Sequence, residues 1–121
     1  TMFLQLSHTK KPIYKDSKEL VAECYRLTAV FPKEEKFAMV SQIRRAAYSI
    51  PSNIVEGKSR DTDKEFRRFL IIARASVDEL SYFLLLAKDL NYIEKEQYEM
   101  YLDKCSHVAS MLNNIIRKIN E

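Results

Sequence analysis

The sequence predicts an all-α fold, an antiparallel up-and-down four-helix bundle, from three observations: scarce turn residues, long hydrophobic rows at helical spacing, and helix-end signals between those rows. The 121 residues include one glycine, three prolines and no tryptophan, so few positions suit β-hairpins or glycine-rich phosphate loops. Hydrophobic residues make up 46% and charged residues 31%, an ordinary globular balance. This length fits one domain, a bundle over residues 13–121 after an N-terminal tail, residues 1–12.

Helix one is predicted to follow Pro12 and to end at Phe31 and Pro32. The capping-box spacing of Asp16 and Glu19 leaves its start between residues 13 and 17. Its hydrophobic residues recur at steps of three or four, the spacing of a single helix face. They are Leu20, Cys24, Leu27 and Phe31.

Helix two is predicted from about Glu34 to Gly57. Pro32 sets the preceding turn, and the acidic pair Glu34 and Glu35 favours the positive end of the helix dipole. Gly57 is the single glycine and is assigned the left-handed position that ends many helices, whereas Pro51 predicts a kink inside the helix. The hydrophobic row is Phe37, Val40, Ile43, Ala47, Ile50 and Ile54.

Helix three is predicted to open with a capping box, Thr62 to Glu65. It carries two hydrophobic rows, more than the single stripe of a surface helix, so we expect it to lie centrally or to be covered by another subunit. The core row is Phe66, Leu70, Ala73, Val77, Leu80, Leu84 and Ala87. The second row is Phe69, Ile72, Phe83, Leu86 and Leu90.

Helix four is predicted from about Glu94 to the end of the sequence, after a break at Asn91 and Tyr92. Because short connections join the four segments, neighbouring helices are expected to run antiparallel. The hydrophobic row of helix four is Tyr98, Tyr101, Cys105, Val108, Leu112, Ile115 and Ile119.

Residues suited to catalysis or metal binding are sparse, so the sequence predicts no enzyme, no metal site and no cofactor. The two histidines, His8 and His107, cannot supply the paired Glu-x-x-His motifs of a di-iron bundle. His107 follows Asp103 by one helical turn, so we expect a solvent-facing pair rather than metal ligands. Cys24 and Cys105 fall in hydrophobic rows, where cysteine acts as a small hydrophobe.

The cysteine pattern and the first residues predict a cytoplasmic protein with no membrane contact. Two cysteines cannot make a disulfide framework, and no signal-peptide pattern opens the sequence. The longest uncharged run in the most apolar segment, residues 80–87, is about a third of the length that spans a bilayer.

A polar row follows helix two beside its hydrophobic row, and a shorter one follows helix three. We expect one of Arg44 and Arg45 to reach Glu79 across the two helices. Glu56 is expected to meet Arg60 or Arg68. Such a network at the core edge either specifies register and assembly or contacts a ligand, and both interpretations stay open. Its members are Gln42, Arg45, Ser49, Asn53, Glu56, Ser76 and Glu79.

Positive charge is concentrated in the middle of the chain. Residues 33–74 hold ten Lys and Arg against six Asp and Glu, whereas residues 75–121 hold five against eight. Basic side chains gathered at one end of a bundle would offer phosphate contacts whose strength falls with salt, although a mixed solvated surface gives similar counts. The candidates are Lys58, Arg60, Lys64, Arg67 and Arg74.

Three stretches of the sequence carry a distinctive set of motifs. They are Thr28-x-x-Phe31-Pro32, then Gln42-Ile-Arg-Arg-Ala-Ala47 continued by Ser49-Ile-Pro-x-Asn53-Ile-x-Glu56-Gly-x-x-Arg60, and Phe66-x-x-Phe69-Leu-x-x-Ala-x-x-Ser76-x-x-Glu79-Leu80. Over residues 14–118 the chain resembles the small bacterial four-helix-bundle proteins named after the reading frame in intervening sequences of some 23S ribosomal RNA genes. It departs from them at Val55, where that family usually has Ala, and at Ala75, where Gly is common.

The resemblance implies a bundle that assembles as a ring, with a homopentamer as the precedent, and it implies no established activity. A more distant resemblance, to accessory proteins of diversity-generating retroelements, implies binding of a reverse transcriptase and nucleic acid. The residues that this second resemblance would place in contact with nucleic acid are Arg44, Arg45, Lys58, Arg60, Arg67 and Arg68.

Together these observations favour a non-enzymatic oligomeric bundle that binds RNA, single-stranded nucleic acid or a nucleoprotein partner. The binding residues would be the basic side chains near the junction of helices two and three. The alternative is a protein-interaction scaffold with no nucleic-acid contact, in which the same arginines pair between helices or subunits.

Overall fold

Four α-helices make up most of this computed structural model, which describes residues 12–119. In chain order they are α1 (Pro12–Thr28), α2 (Met39–Lys58), α3 (Asp63–Asp89) and α4 (Lys95–Lys118), with a 3₁₀ turn at Lys33–Glu35. No strand occurs within residues 12–119, so the predicted all-α class is confirmed. The predicted tail lies outside the described residues except for Pro12, which is the first residue of α1.

The helices pack in a cycle, each against its neighbours in the chain, and α1 closes the cycle against α4. α2 and α3 are antiparallel, because Arg45 contacts Glu79 whereas Ser49, later in α2, contacts Ser76, which is earlier in α3. Packing is most extensive between α2 and α3 and sparsest between α1 and α4, and within the described residues the backbones of the diagonal pairs do not come close together. This is the order of an up-and-down bundle, whose assembly into a ring stays a prediction.

The core follows the rows that the sequence predicts. Six of the predicted core residues of α3 are at most 2% exposed: Leu70, Ala73, Val77, Leu80, Leu84 and Ala87. Cys24 on α1 and Cys105 on α4 are 0% and 1% exposed, which confirms their predicted core positions. Full burial of one large apolar side chain contributes about 1.5–3 kcal/mol, so this core provides most of the stability.

The predicted start of α2 is wrong, because the helix begins at Met39 rather than near Glu34. Ala38 interrupts the helical geometry with φ −121° and ψ −99°. The Glu35 carboxylate accepts hydrogen bonds from the Met39 backbone N–H at 3.2 Å and from the Tyr92 hydroxyl at 2.6 Å. These bonds satisfy one of the free N–H groups at the start of α2 and tie the preceding 3₁₀ turn to the connection between α3 and α4.

The connection between α1 and α2 differs from the prediction in two further residues. Phe37, placed in the core row by its spacing, is 88% exposed, because it precedes α2 and the period of that helix does not set its direction. Phe31 lies outside α1, which ends at Thr28. Its ring packs against that of Tyr92 with centroids 5.4 Å apart.

Gly57 lies inside α2 and does not adopt the left-handed conformation predicted for it. A Cβ added at Gly57 would lie 2.8 Å from the Cβ of Phe69 and 3.0 Å from a ring carbon of Phe66. Because the Cβ of Phe69 is fixed to its backbone, relief of that contact requires α2 and α3 to move apart. Glycine is therefore needed here for close packing of the two helices.

The predicted turns at the ends of α3 are confirmed. The Thr62 hydroxyl accepts a hydrogen bond from the Glu65 backbone N–H at 3.1 Å, which caps the first turn. At the other end Asn91 has φ 64°, and the N–H groups of Asn91 and Tyr92 bond to carbonyls of the last helical turn. This pattern is a Schellman motif, and α4 follows from Lys95 with Glu94 as its N-cap, next to the predicted start at about Glu94.

Gly57→Ala is expected to lower the free energy of unfolding by about 1–3 kcal/mol, the usual cost of overpacking a buried site. At an exposed helical position the same change would raise stability by about 1 kcal/mol through the higher helix propensity of alanine. Urea unfolding followed by circular dichroism measures the difference, with the exposed Ser52→Ala as the control on the same helix. A neutral or stabilising Gly57→Ala would contradict the tight packing of α2 on α3.

Candidate functional site

The face shared by α2 and α3 begins with an ion pair. Arg45, rather than Arg44, reaches Glu79: its Nη2 donates to Glu79 Oε2 at 2.9 Å and to the Gln42 side-chain oxygen at 3.0 Å. The side chains of Arg45 and Glu79 are 47% and 40% exposed. At that exposure an ion pair contributes at most about 1 kcal/mol and is screened by salt. The pair therefore orients side chains across the two helices more than it stabilises them.

Further along the same face, Asn53, Ser49 and Ser76 form a hydrogen-bonded chain. Asn53 Nδ2 donates to the Ser49 carbonyl at 2.7 Å and to Ser49 Oγ at 3.1 Å. The two serine oxygens are 2.7 Å apart, and Ser76 donates to the Ile72 carbonyl at 3.2 Å. Because each hydroxyl has one hydrogen, Ser49 is the donor to Ser76. The buried Ser76 hydroxyl therefore has two partners, the Ser49 hydroxyl and the Ile72 carbonyl.

Glu56, the last member of the predicted network, does not extend this chain. Its carboxylate pairs with Arg60, four residues later in the sequence. The structure therefore places the predicted network residues in three groups along one face: the pair around Arg45, the serine chain, and Glu56 with Arg60 at the end of α2.

Cationic side chains gather around two phenylalanine rings where α2 ends and α3 begins. The guanidinium carbons of Arg60 and Arg68 lie 4.8 Å and 4.5 Å from the ring centroid of Phe69, within the range of cation–π attraction. Lys58 Nζ lies 5.1 Å from the ring centroid of Phe66. We call the exposed cationic residues of this end the junction cluster: Lys58, Arg60, Lys64 and Arg68.

Carboxylates accompany only part of the junction cluster. Glu65 accepts hydrogen bonds from Arg68 Nε and Nη2 at 3.3 Å and 3.2 Å, and these bonds lower the pKa of Glu65. Among residues 12–119, no carboxylate lies within 4.0 Å of the ammonium groups of Lys58 and Lys64. Arg67 is half-buried and lines a shallow surface pocket beside Lys64 and Arg68.

Two other predicted nucleic-acid contacts, Arg44 and Arg74, face neighbouring helices. Arg44 Nε donates to the Thr28 hydroxyl at 2.8 Å, and its guanidinium carbon lies 4.4 Å from the ring centroid of Tyr25. Its Nη2 donates at 3.3 Å to the Tyr25 carbonyl, which also accepts a hydrogen bond from the Ala29 backbone N–H at 3.1 Å. Arg74 Nη1 donates at 2.8 Å to the side-chain oxygen of Asn113 on α4. Both arginines therefore join helices.

Sequence reasoning missed the aromatic partners of the arginines. A phenylalanine at helical spacing is ordinarily a core residue, and Phe69 is indeed only 9% exposed. The signal that could have found the junction is the alternation of Phe66, Arg67, Arg68 and Phe69 directly after a capped helix start. Tyr25 gave no signal, because its partner Arg44 is 19 residues away.

The described residues contain no metal-binding cluster. Within residues 12–119, no group of three or more His, Cys, Asp and Glu side chains could hold a metal ion. His107 Nε2 lies 2.8 Å from Asp16 Oδ2, so the expected pairing with Asp103 is wrong, because helix packing brings an α1 carboxylate to the imidazole. None of the four helices combines the length and apolar character that crossing a membrane requires.

Both thiols are inert by virtue of burial. Burial is the main cause that raises the pKa of Cys24 to about 12 and the pKa of Cys105 to about 11. Because the thiolate is the reactive form, neither side chain is a nucleophile at neutral pH.

The fold and the site together define a small all-helical bundle protein with polar groups along one inter-helix face and a cationic end. The family model of the 23S rRNA-intervening sequence protein matches residues 9–114, and the chain belongs to that family. The resemblance drawn from the sequence motifs is thereby confirmed.

One solved structure shares the fold over nearly its whole length. It is a crystal structure of a protein of unknown function from the S23 ribosomal protein family of Bacteroides thetaiotaomicron VPI-5482. The two chains are 28% identical with a TM-score of 0.78, and the similarity covers 88% of this chain and 99% of that one. No curated protein matches the sequence.

Ser49→Ala and Ser76→Ala are each expected to lower the free energy of unfolding by about 1–2 kcal/mol, because each leaves a sheltered polar group without its partner. Since the two hydroxyls share one bond, the double variant should lose less than the sum of the single losses. Urea unfolding measures all three variants, with the exposed Ser41→Ala as control. Additive losses would show that the two serines act independently.

The free energy of unfolding is expected to fall as the pH rises above about 9. Unfolded thiols lose their protons near pH 9.0, whereas the folded chain holds them to about 12 at Cys24 and about 11 at Cys105. Between these pH values the unfolded state binds fewer protons than the folded state, so rising pH favours unfolding. Thermal melts between pH 8 and 10.5 measure the trend, and the Cys24→Ala/Cys105→Ala variant should show a shallower one. An equal slope in both proteins would contradict the assignment to the thiols.

Proposed function

We propose that the chain is a non-enzymatic, oligomeric bundle protein that binds RNA or single-stranded nucleic acid through the junction cluster. The observation that supports this proposal is the grouping of exposed cationic side chains at one end of the bundle. Such side chains neutralise phosphates and release counterions, which provides sequence-independent affinity. The surplus of positive charge between residues 33 and 74 adds to the attraction.

The aromatic contacts favour this function because they hold two guanidinium groups in place before binding. Arg60 and Arg68 both contact the ring of Phe69, so each loses less side-chain freedom when it meets a phosphate. A guanidinium has five N–H donors. Pairing with Glu56 or Glu65 therefore leaves donors for a further acceptor.

The geometry narrows the set of contacts proposed from the sequence. Arg44 and Arg74 bond other helices, and Arg45 pairs with Glu79. We therefore assign nucleic-acid contact to the junction cluster, with Arg67 at its edge.

We further propose that copies of the chain associate through the outer face of α3. Ile72 and Leu90 of the second hydrophobic row are 37% and 48% exposed, and Phe83 and Leu86 are only partly buried. Exposed apolar patches of this kind mark interaction sites. A ring forms when each copy presents two different surfaces and the rotation closes, and the family resemblance implies five copies.

A protein-interaction scaffold without nucleic-acid contact is the second candidate, favoured by a specific observation. Several of the arginines first assigned to nucleic acid already bond partners within the chain, among them Arg44, Arg45, Arg60, Arg68 and Arg74. Either function suits the cytoplasm, the compartment that we propose from the two unpaired thiols.

Filter binding to a structured RNA and to single-stranded DNA across a salt series tests the nucleic-acid function. The logarithm of the association constant should fall linearly with log salt, with a slope of about −0.7 to −0.9 per phosphate contacted. The Lys58→Glu/Arg60→Glu/Lys64→Glu variant should bind at least about tenfold more weakly at 0.1 M salt, because each reversal replaces attraction by repulsion. The matched control reverses Lys33, Lys36 and Lys95 at the opposite end of the bundle.

Loss of binding confined to the junction variant would support the proposal. No binding by the unaltered chain, or an equal loss in both variants, would overturn it in favour of the scaffold. Circular dichroism and sedimentation of each variant separate a loss of binding from a loss of helix content or assembly.

A further inference from the structure

An apolar cavity of about 390 Å³ opens at the end of the bundle where α1 begins and α4 ends. Every helix contributes to its hydrophobic walls, which include Ile13, Ile54, Phe66, Met111 and Ile115. Cavities of about 300–1,000 Å³ with mostly apolar walls and a few polar groups are typical of small-molecule sites.

Lys58 gives this cavity a positive charge. It lines the cavity together with the amide side chain of Asn114, and its Nζ lies 5.1 Å from the ring centroid of Phe66, another lining residue. In the described part of the chain no carboxylate neutralises this ammonium group within 4.0 Å. The cavity therefore combines hydrophobic walls with one uncompensated cation.

We propose that the cavity binds an anionic amphiphile, a straight acyl chain that ends in a carboxylate. At roughly 30 Å³ per water-sized group, the volume fits a chain of about a dozen atoms. The methylene groups would lie against the hydrophobic walls, and the carboxylate would accept a charge-assisted hydrogen bond from Lys58.

Charge complementarity selects this occupant over other amphiphiles. A cationic head group would be repelled by Lys58, and a neutral one would leave its ammonium without a counter-charge. Lys58 belongs to the junction cluster as well, but the proposal does not depend on nucleic-acid binding, because a carboxylate can pair with Lys58 whether or not the cluster binds phosphate.

Titration with hexanoate, octanoate and decanoate, followed by the methyl NMR signals of Ile54, Met111 and Ile115, tests the proposal. Affinity should rise about threefold to fourfold with each added methylene. Decanoate should bind at least about tenfold more tightly than decylammonium. The methyl signals of Ile93, at the opposite end of the bundle, should not move.

Lys58→Gln should weaken decanoate binding about tenfold and leave decanol binding unchanged, whereas the matched Lys33→Gln should alter neither. Ile115→Phe should abolish binding by filling the cavity, and Met111→Phe serves the same purpose if the first variant does not fold. Equal affinity for decanoate and decylammonium, or no saturable shift of the cavity methyl signals, would overturn the proposal. Binding that emerges only after removal of residues 1–11 would also overturn it, because the chain's own N-terminal segment would then be the occupant.

Discussion

The close approach of α2 and α3 is the constraint on which the rest of the structure depends. Gly57 of α2 packs against Phe69 of α3, and Ser49 of α2 contacts Ser76 of α3, so short side chains keep the two backbones close. At Gly57 the space between the two helices is too small to hold one methyl group. A wider spacing would separate Ser49 from Ser76 and leave their hydroxyls without each other.

The cationic end follows from the same constraint. Only residues 59–62 connect α2 to α3, so side chains from the end of one helix and the start of the next share a small surface. Phe69 packs against Gly57, and its ring contacts the guanidinium groups of both Arg60 and Arg68. Basic residues at the end of α2 and at the start of α3 thus form one surface because of a packing requirement in the helices beneath it.

Features set by local chemistry could be predicted from the sequence, whereas features set by distant partners, apart from the pair of Arg45 and Glu79, could not. The buried row of α3 and its cap at Thr62 depend on residues three or four positions apart, which the sequence displays directly. Gly57 was misassigned because its requirement comes from Phe69, a residue of the next helix. Phe37 was misassigned because α2 begins only at Met39. The hydrophobic period of α2 does not reveal this start, which is accompanied by the hydrogen bond from Tyr92 to the Glu35 carboxylate. His107 was predicted to pair with Asp103, but its partner is Asp16, a residue of another helix.

The sparse packing of α1 on α4 has a consequence for how the bundle opens. Polar contacts also join these two helices: the Tyr101 hydroxyl donates to the Glu23 carbonyl at 2.9 Å, and Lys104 lies 3.1 Å from the Glu23 carboxylate. Local unfolding begins where few contacts hold an element, so we expect α1 to detach more readily than the closely packed α2–α3 hairpin opens. A detached α1 exposes on the remaining three helices a groove that fits the same helix of another molecule. If copies of the chain exchange a helix by domain swapping, we therefore expect that helix to be α1.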